Sequence, residues 1–180
     1  QGYIAYAESR YDEARRMFGA VDISTAPGNM ADYYLAQIYY HDGDFQKTLT
    51  TARNLLRRSG IEPAFTAEAN RLAGESLYQL GDGSAAIGYL RKYVAATETP
   101  EPSALYILGI SQYGNGDYQD AVASLQPVSR LNDAMGQSAS LYIGQALMKT
   151  GDKDAALLAF DKALKMPFDE GVREAAYYNY

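Results

Sequence analysis

The sequence has no cysteine, which excludes disulfides, thiolate zinc sites and thiol nucleophiles together. It has one histidine, His41, and no residue spacing gives that side chain the oriented partner a general base requires. It reads as an exposed imidazole near a turn. No apolar run approaches the roughly 18 residues of a membrane span, and no segment has the pattern of a signal peptide. Cations are in the minority: 16 Lys and Arg stand against 22 Asp and Glu, a net charge of −6. Such a surface repels phosphate backbones, so nucleic acid is not the expected partner. Arg53, Arg57, Arg58 and Arg71 are a local exception, with Arg57-Arg58 reading as decoration of a solvated helix end.

Chemical motifs are missing as well. There is no Gly-rich phosphate loop, Ser-centred elbow or His pair. Asp42-Gly43-Asp44 invites a calcium-loop reading, but an EF-hand counted from Asp42 needs Gly and Glu where Lys47 and Arg53 stand. Asp152 and Asp154 read as a helix cap and a first-turn acid. No catalytic residue, metal or cofactor is expected, and no enzymatic activity.

What is present is a period. The chain is 47% hydrophobic, enough to bury a core. Four Gly-Asp dipeptides begin at Gly43, Gly81, Gly116 and Gly151, spaced 38, 35 and 35 residues apart. Glycine can take the left-handed conformation that ends a helix, and the following Asp can cap the next one. Each dipeptide thus reads as the tight turn of a helical hairpin. Seven residues before the turn glycine stand Ala36, Gly74, Gly109 and Gly144; five after it stand Thr48, Ala86, Ala121 and Ala156. Small residues there let two antiparallel helices cross closely. Larger apolar positions surround the crossing: Leu35, Ala73, Leu108 and Ile143 eight before, and Ala52, Leu90, Leu125 and Phe160 nine after.

The ends fit the same scheme. Tyr11-Asp12-Glu13-Ala14, with Phe18 beyond it, reads as the second helix of an earlier hairpin, with Ser9 in place of the turn glycine. The predicted helices are 2–9, 11–20, 29–42, 45–58, 64–80, 83–97, 102–114, 118–131, 134–150, 153–166 and 169–180, with boundaries good to about ±2–4 residues. Ser24-Thr25-Ala26-Pro27-Gly28 and Ser59-Gly60-Ile61-Glu62-Pro63 are expected loops. The chain begins at Gln1 rather than Met and reads as a piece of something longer. Repeat arrays need polar caps, yet the last helix runs out through Tyr177-Tyr178-Asn179-Tyr180, so self-association through uncapped ends is expected.

Gly-Asp-Tyr-Gln-Asp-Ala (116–121) and Tyr11-Asp12-Glu13-Ala14 resemble the turn and second helix of tetratricopeptide repeats, and the small residues at 74, 109 and 144 match that family's first-helix position. The resemblance covers nearly the whole chain. It implies an all-α fold, a right-handed α-solenoid of antiparallel hairpins. It also implies one array over 1–180: a partial unit 1–22, units at about 29–60, 64–99, 102–132 and 134–167, and a partial unit 168–180. Gly83 stands where an aromatic is usual and Thr48 where Ala is usual. The wording of the repeats is similar to bacterial tetratricopeptide proteins of the cell envelope, which implies a periplasmic or envelope location.

In that family the first helices line a concave groove where partner peptides lie. By position, this groove takes Tyr6, Tyr40, Tyr78, Tyr113 and Met148 from three residues before each turn. Tyr33, Arg71 and Tyr106 come from ten before, with Tyr178 at the matching place in the last partial unit, and Gln37, Glu75 and Gln145 from six before. Tyrosine suits recognition, with large apolar contact and a hydroxyl handle; the same rings also serve as packing between hairpins. Cochaperones of this family clamp carboxylate tails with Lys, Arg and Asn, whereas only Arg71 is cationic here, so chaperone tails are not the implied ligand. Two functions remain open: a scaffold holding protein or peptide segments, and a ligand-sensing module attached to an effector in the flanks.

Overall fold

The computed structural model describes residues 1–21 and 26–180. Among them are eleven helices and no strand: α1 (Gly2–Ala7), α2 (Tyr11–Gly19), α3 (Ala26–His41), α4 (Phe45–Leu56), α5 (Pro63–Gln79), α6 (Gly83–Ala95), α7 (Pro102–Asn115), α8 (Tyr118–Val128), α9 (Ala134–Thr150), α10 (Lys153–Lys165) and α11 (Glu170–Asn179). The fold class is thus all-α, built of helical hairpins. Ser24 and Thr25 of the expected first loop lie outside the described residues. Ala26–Gly28 is a correction, for those residues open α3 instead of preceding it. A proline in a helix's first turn sacrifices no intrahelical bond, so Pro27 does not delay the start. The chain forms two compact units, Gln1–Glu98 with α1–α6 and Thr99–Tyr180 with α7–α11.

Every hairpin turn is made the same way. The turn glycine takes positive φ at Gly43 (75°), Gly81 (88°), Gly116 (87°) and Gly151 (88°), and Ser9 occupies the same region at 58°. The next amide, that of Arg10, Asp44, Asp82, Asp117 or Asp152, donates to the carbonyl five residues back (Ala5, Tyr39, Leu77, Gln112 and Leu147) at 2.8–3.0 Å. This closes the first helix in a Schellman turn. The Asp carboxylate then caps the second helix through Lys47 N, Ala85 N and Ala155 N. Asp117 departs from the expected cap, since its side chain accepts from Asn115 Nδ2 at 2.9 Å instead.

The crossings explain the small residues. A Cβ added to Gly74 would stand 2.6 Å from Leu90 Cγ, and one on Gly109 or Gly144 would press still closer on Leu125 or Phe160. Gly2 bears the same relation to Phe18, at 2.8 Å, so the N-terminal hairpin keeps the rule with Ser9 as its turn. Ala36 breaks the glycine pattern, and the repeat position that holds Leu90, Leu125 and Phe160 elsewhere holds Ala52 in this hairpin; both alanines are buried. Volume is exchanged across the crossing, as close packing requires. Ala14, Thr48, Ala86, Ala121 and Ala156 are fully buried on the facing helices. Thr48 fits there because its hydroxyl donates to Asp44 O at 3.0 Å.

Two polar locks hold hairpin ends. In the second unit Gln137 is wholly buried. Its Nε2 lies within hydrogen-bond distance of the carbonyls of Ala163 (3.1 Å), Met166 (2.7 Å) and Asp169 (3.1 Å), and its Oε1 accepts from Phe168 N (3.1 Å) and Asp169 N (2.7 Å). In the first unit Arg58 corrects the reading of a merely solvated helix end. Its guanidinium pairs with the buried Asp32 and donates to Asn29 Oδ1 at 3.3 Å.

Candidate functional site

The first helices of the first unit bring several expected groove residues together. Gln37 Nε2 donates to Tyr33 Oη at 3.2 Å, and the Tyr33 ring stacks on Phe65 with centroids 4.7 Å apart. Arg71 donates through Nε and Nη2 to Glu68 Oε2 at 3.0 and 2.8 Å, and through Nη1 to Glu75 Oε2 at 3.0 Å. Burial opposes the Arg71 charge, but the hydrogen bond to Glu68 and the charges of both carboxylates outweigh it and raise its pKa. Arg71 is therefore a neutralised cation, and Glu75 lies beneath the surface with 1% exposure. Burial, then the Glu75 carboxylate, pushes the Tyr40 phenol well above its ordinary range. Tyr33 is raised by burial, with the Gln37 hydrogen bond pulling the other way.

Three of the tyrosines placed three residues before a turn also pack on their own hairpin. The aromatic two residues after the turn meets each one: Tyr11 against Tyr6 (5.8 Å), Phe45 against Tyr40 (5.7 Å) and Tyr118 against Tyr113 (5.5 Å). Where that aromatic is replaced by Gly83 or Lys153, the side chain stays open: Tyr78 is 36% exposed and Met148 43%. Tyr6 meets Tyr34 with centroids 4.9 Å apart, and Tyr34 in turn meets Tyr33 edge-on at 5.0 Å, so Tyr6 and Tyr33 share one aromatic cluster.

The second unit brings fewer of them together. Tyr113 meets Tyr142 at 5.4 Å, and burial raises its phenol's pKa. The Tyr106 and Ser138 hydroxyls are hydrogen-bonded at 2.8 Å. Gln145 is half-buried on α9. Tyr178 on α11 is 87% exposed, its ring 6.4 Å from that of Tyr177. No group of His, Asp and Glu able to hold a metal occurs among the described residues, and no helix there is long and apolar enough to cross a membrane.

One feature escaped the sequence reading. Arg53 and Leu56 of α4 with Arg57 at its C-cap, Thr66 and Asn70 of α5, and Tyr89 and Lys92 of α6 line a cleft of about 530 Å³ inside the first unit. Its residues come from three helices and the C-cap of one, and only Arg53-to-Arg57, four apart at the end of α4, was a signal visible in one dimension.

The tetratricopeptide repeat model matches residues 1–48, 49–100 and 106–171. No curated protein matches the sequence. Among solved structures, the chain is similar to YrrB, described as a TPR protein with an unusual peptide-binding site. The identity is 19% and the TM-score 0.77, covering 98% of this chain and 88% of that one. It is also similar to MamA, at 22% identity and TM-score 0.68 over 99% and 97%. A MamA structure labelled AMB-1 gives 18% and 0.73 over 92% and 94%. At these identities the likeness is one of fold.

Proposed function

The chain belongs to the tetratricopeptide repeat family, and from that membership we propose that it is a non-catalytic scaffold holding protein or peptide segments against its first helices. The observation that carries this reading is the contrast within the row of residues three before each turn. Tyr6, Tyr40 and Tyr113 are engaged by the ring two residues past their turn, whereas Tyr78 and Met148, with Gly83 and Lys153 at that place, present apolar surface to solvent. An exposed tyrosine on a rigid helix is a fitting anchor, because little rotamer freedom is lost on contact. Tyr33, Gln37 and Arg71 in the first unit, and Tyr106, Gln145 and Tyr178 in the second, are the further contact residues proposed, with Glu75 acting through Arg71 and Tyr40. The peptide-binding description of YrrB accords with this reading.

The test is capture from source-cell lysate on the immobilised chain, beside a Tyr78→Ala, Met148→Ala variant. Both positions are exposed, so the variant keeps its fold. A protein retained by the first and depleted about tenfold on the second supports the first-helix surface. Equal retention moves the contact to another face. Retention by neither, with a small molecule or short peptide bound instead, favours a sensing module.

A further inference from the structure

The cleft between α4, α5 and α6 has no carboxylate in its lining and three cations, Arg53, Arg57 and Lys92. In a chain of net charge −6 that local excess is out of character. Five other cations of the first unit are paired: Arg10 with Glu8 and Glu13, Arg15 with Asp12 and Asp42, Lys47 with Asp44, Arg58 with Asp32, and Arg71 with Glu68 and Glu75. The Arg57 and Lys92 side chains have no ion pair or hydrogen bond among the described residues. Arg53 donates only Nε, to Tyr89 Oη at 3.1 Å, with its guanidinium over the Tyr89 ring at 5.8 Å. That contact fixes the plane of the fork and leaves both terminal nitrogens for an oxyanion, the arrangement in which arginine recognises carboxylate bidentately.

The second unit supplies an internal control. At the matching repeat positions Arg130 replaces Arg57 and Lys162 replaces Lys92, but Gln126 stands for Arg53 and Ala159 for Tyr89. The corresponding cleft there, about 360 Å³, is lined by Asp161, which pairs with Lys165 at 2.5 Å. There the cations are partly answered from within. In the first unit they are not.

We infer that the α4–α5–α6 cleft is a second binding site, taking an acidic protein segment in which carboxylates flank an apolar or aromatic side chain. The apolar wall of Leu56 and the Tyr89 ring would seat the latter, and the three cations the former. Dedicated phosphate cradles rest on free backbone amides. In the lining of this cleft the Thr66 amide is spent on Glu62 O, and the volume exceeds that of one phosphate several-fold. The site lies off the proposed first-helix surface and stands independently of it.

The experiment is fluorescence anisotropy with a synthetic peptide carrying two glutamates on each side of one phenylalanine, titrated with the whole chain. The variants are Arg53→Gln, Arg57→Gln, Lys92→Gln together; Arg130→Gln, Lys162→Gln as the second-unit control; and Tyr78→Ala, Met148→Ala. The expected result is binding that weakens about tenfold or more in the first variant, weakens with salt, and is unchanged in the other two. Circular dichroism confirms that each variant is folded. Absence of binding to the unaltered chain overturns the proposal, as does equal binding by the triple variant. So does displacement of the peptide by equimolar inorganic phosphate, or sedimentation of the chain with phosphatidylserine vesicles that the triple variant loses while peptide binding is absent.

Discussion

Asn29 in the first unit and Gln137 in the second occupy one and the same repeat position, fourteen residues before the turn glycine. Each holds the end of its hairpin's second helix, yet by different means. Around Asn29 the lock is ionic: Arg58 reaches back from the end of α4 to Asp32 and Asn29. Around Gln137 it is a neutral amide that serves five backbone groups at once. The crossings differ in parallel, Ala36 against Ala52 in one hairpin, and Gly109 against Leu125 or Gly144 against Phe160 in the others. Among the described residues the first unit also holds most of the ion pairs and ring contacts, while apolar clusters occur in both units, around Phe18 and Ile38 in the first and around Leu125 and Phe160 in the second. One repeat geometry thus tolerates charged or neutral fastening, provided that buried polar groups find partners and crossing volumes match.

The sharpest way to break this comparison is to substitute the two equivalent positions separately. Gln137→Leu strands several buried backbone groups, and at roughly 1 kcal/mol or more for each, about 4 kcal/mol of stability is expected to go. Asn29→Leu removes one partly buried contact and is expected to cost about 1 kcal/mol. Urea unfolding with hydrogen exchange resolves the difference; equal losses would mean the two positions are not doing unequal work.

Next comes the exchange of volume. Gly109→Ala is expected to cost about 2–3 kcal/mol through overpacking on Leu125. Combined with Leu125→Ala it should cost at least 1 kcal/mol less than the sum of the single changes, because the pair then copies Ala36 and Ala52. Strict additivity in a double-mutant cycle would refute the shared crossing rule.

The smallest effect belongs to the turn. Ser9→Gly should stabilise the first hairpin by about 0.5–1 kcal/mol, since Ser9 bears a Cβ in the left-handed region where its counterparts are glycine. A thermal melt that falls instead would separate this turn from the other four.

Much of the fold was legible because it is written at short range. A turn glycine, the Asp after it and small residues at fixed distances are consequences of local backbone geometry, and Ser9 was identifiable only because its neighbours kept the spacing. The packing of Tyr40 on Phe45 and of Tyr113 on Tyr118 could have been read from the aromatic two residues past each turn. The Gln137 lock could not, since its partners lie 26 to 32 residues on and are backbone atoms at the end of α10 and in the segment after it. The same holds for Arg58, whose carboxylate is 26 residues away, and for the cationic cleft. The pairing of Arg71, the groove's one cation, was by contrast readable, since Glu68 and Glu75 stand three and four residues from it on one helix.

The exchange of volume at the crossings has a further bearing, on how a chain of similar hairpins avoids joining the wrong halves. A helix with alanine at the crossing, such as α3, would collide with the leucine or phenylalanine carried by α6, α8 or α10. A glycine-bearing helix set against α4 would leave a hole opposite Ala52. Each mismatch is penalised, by strain in one direction and by lost contact in the other. The size of a single side chain therefore works as an address during folding, steering α3 to α4 in a sequence where near-identical alternatives lie only one repeat away.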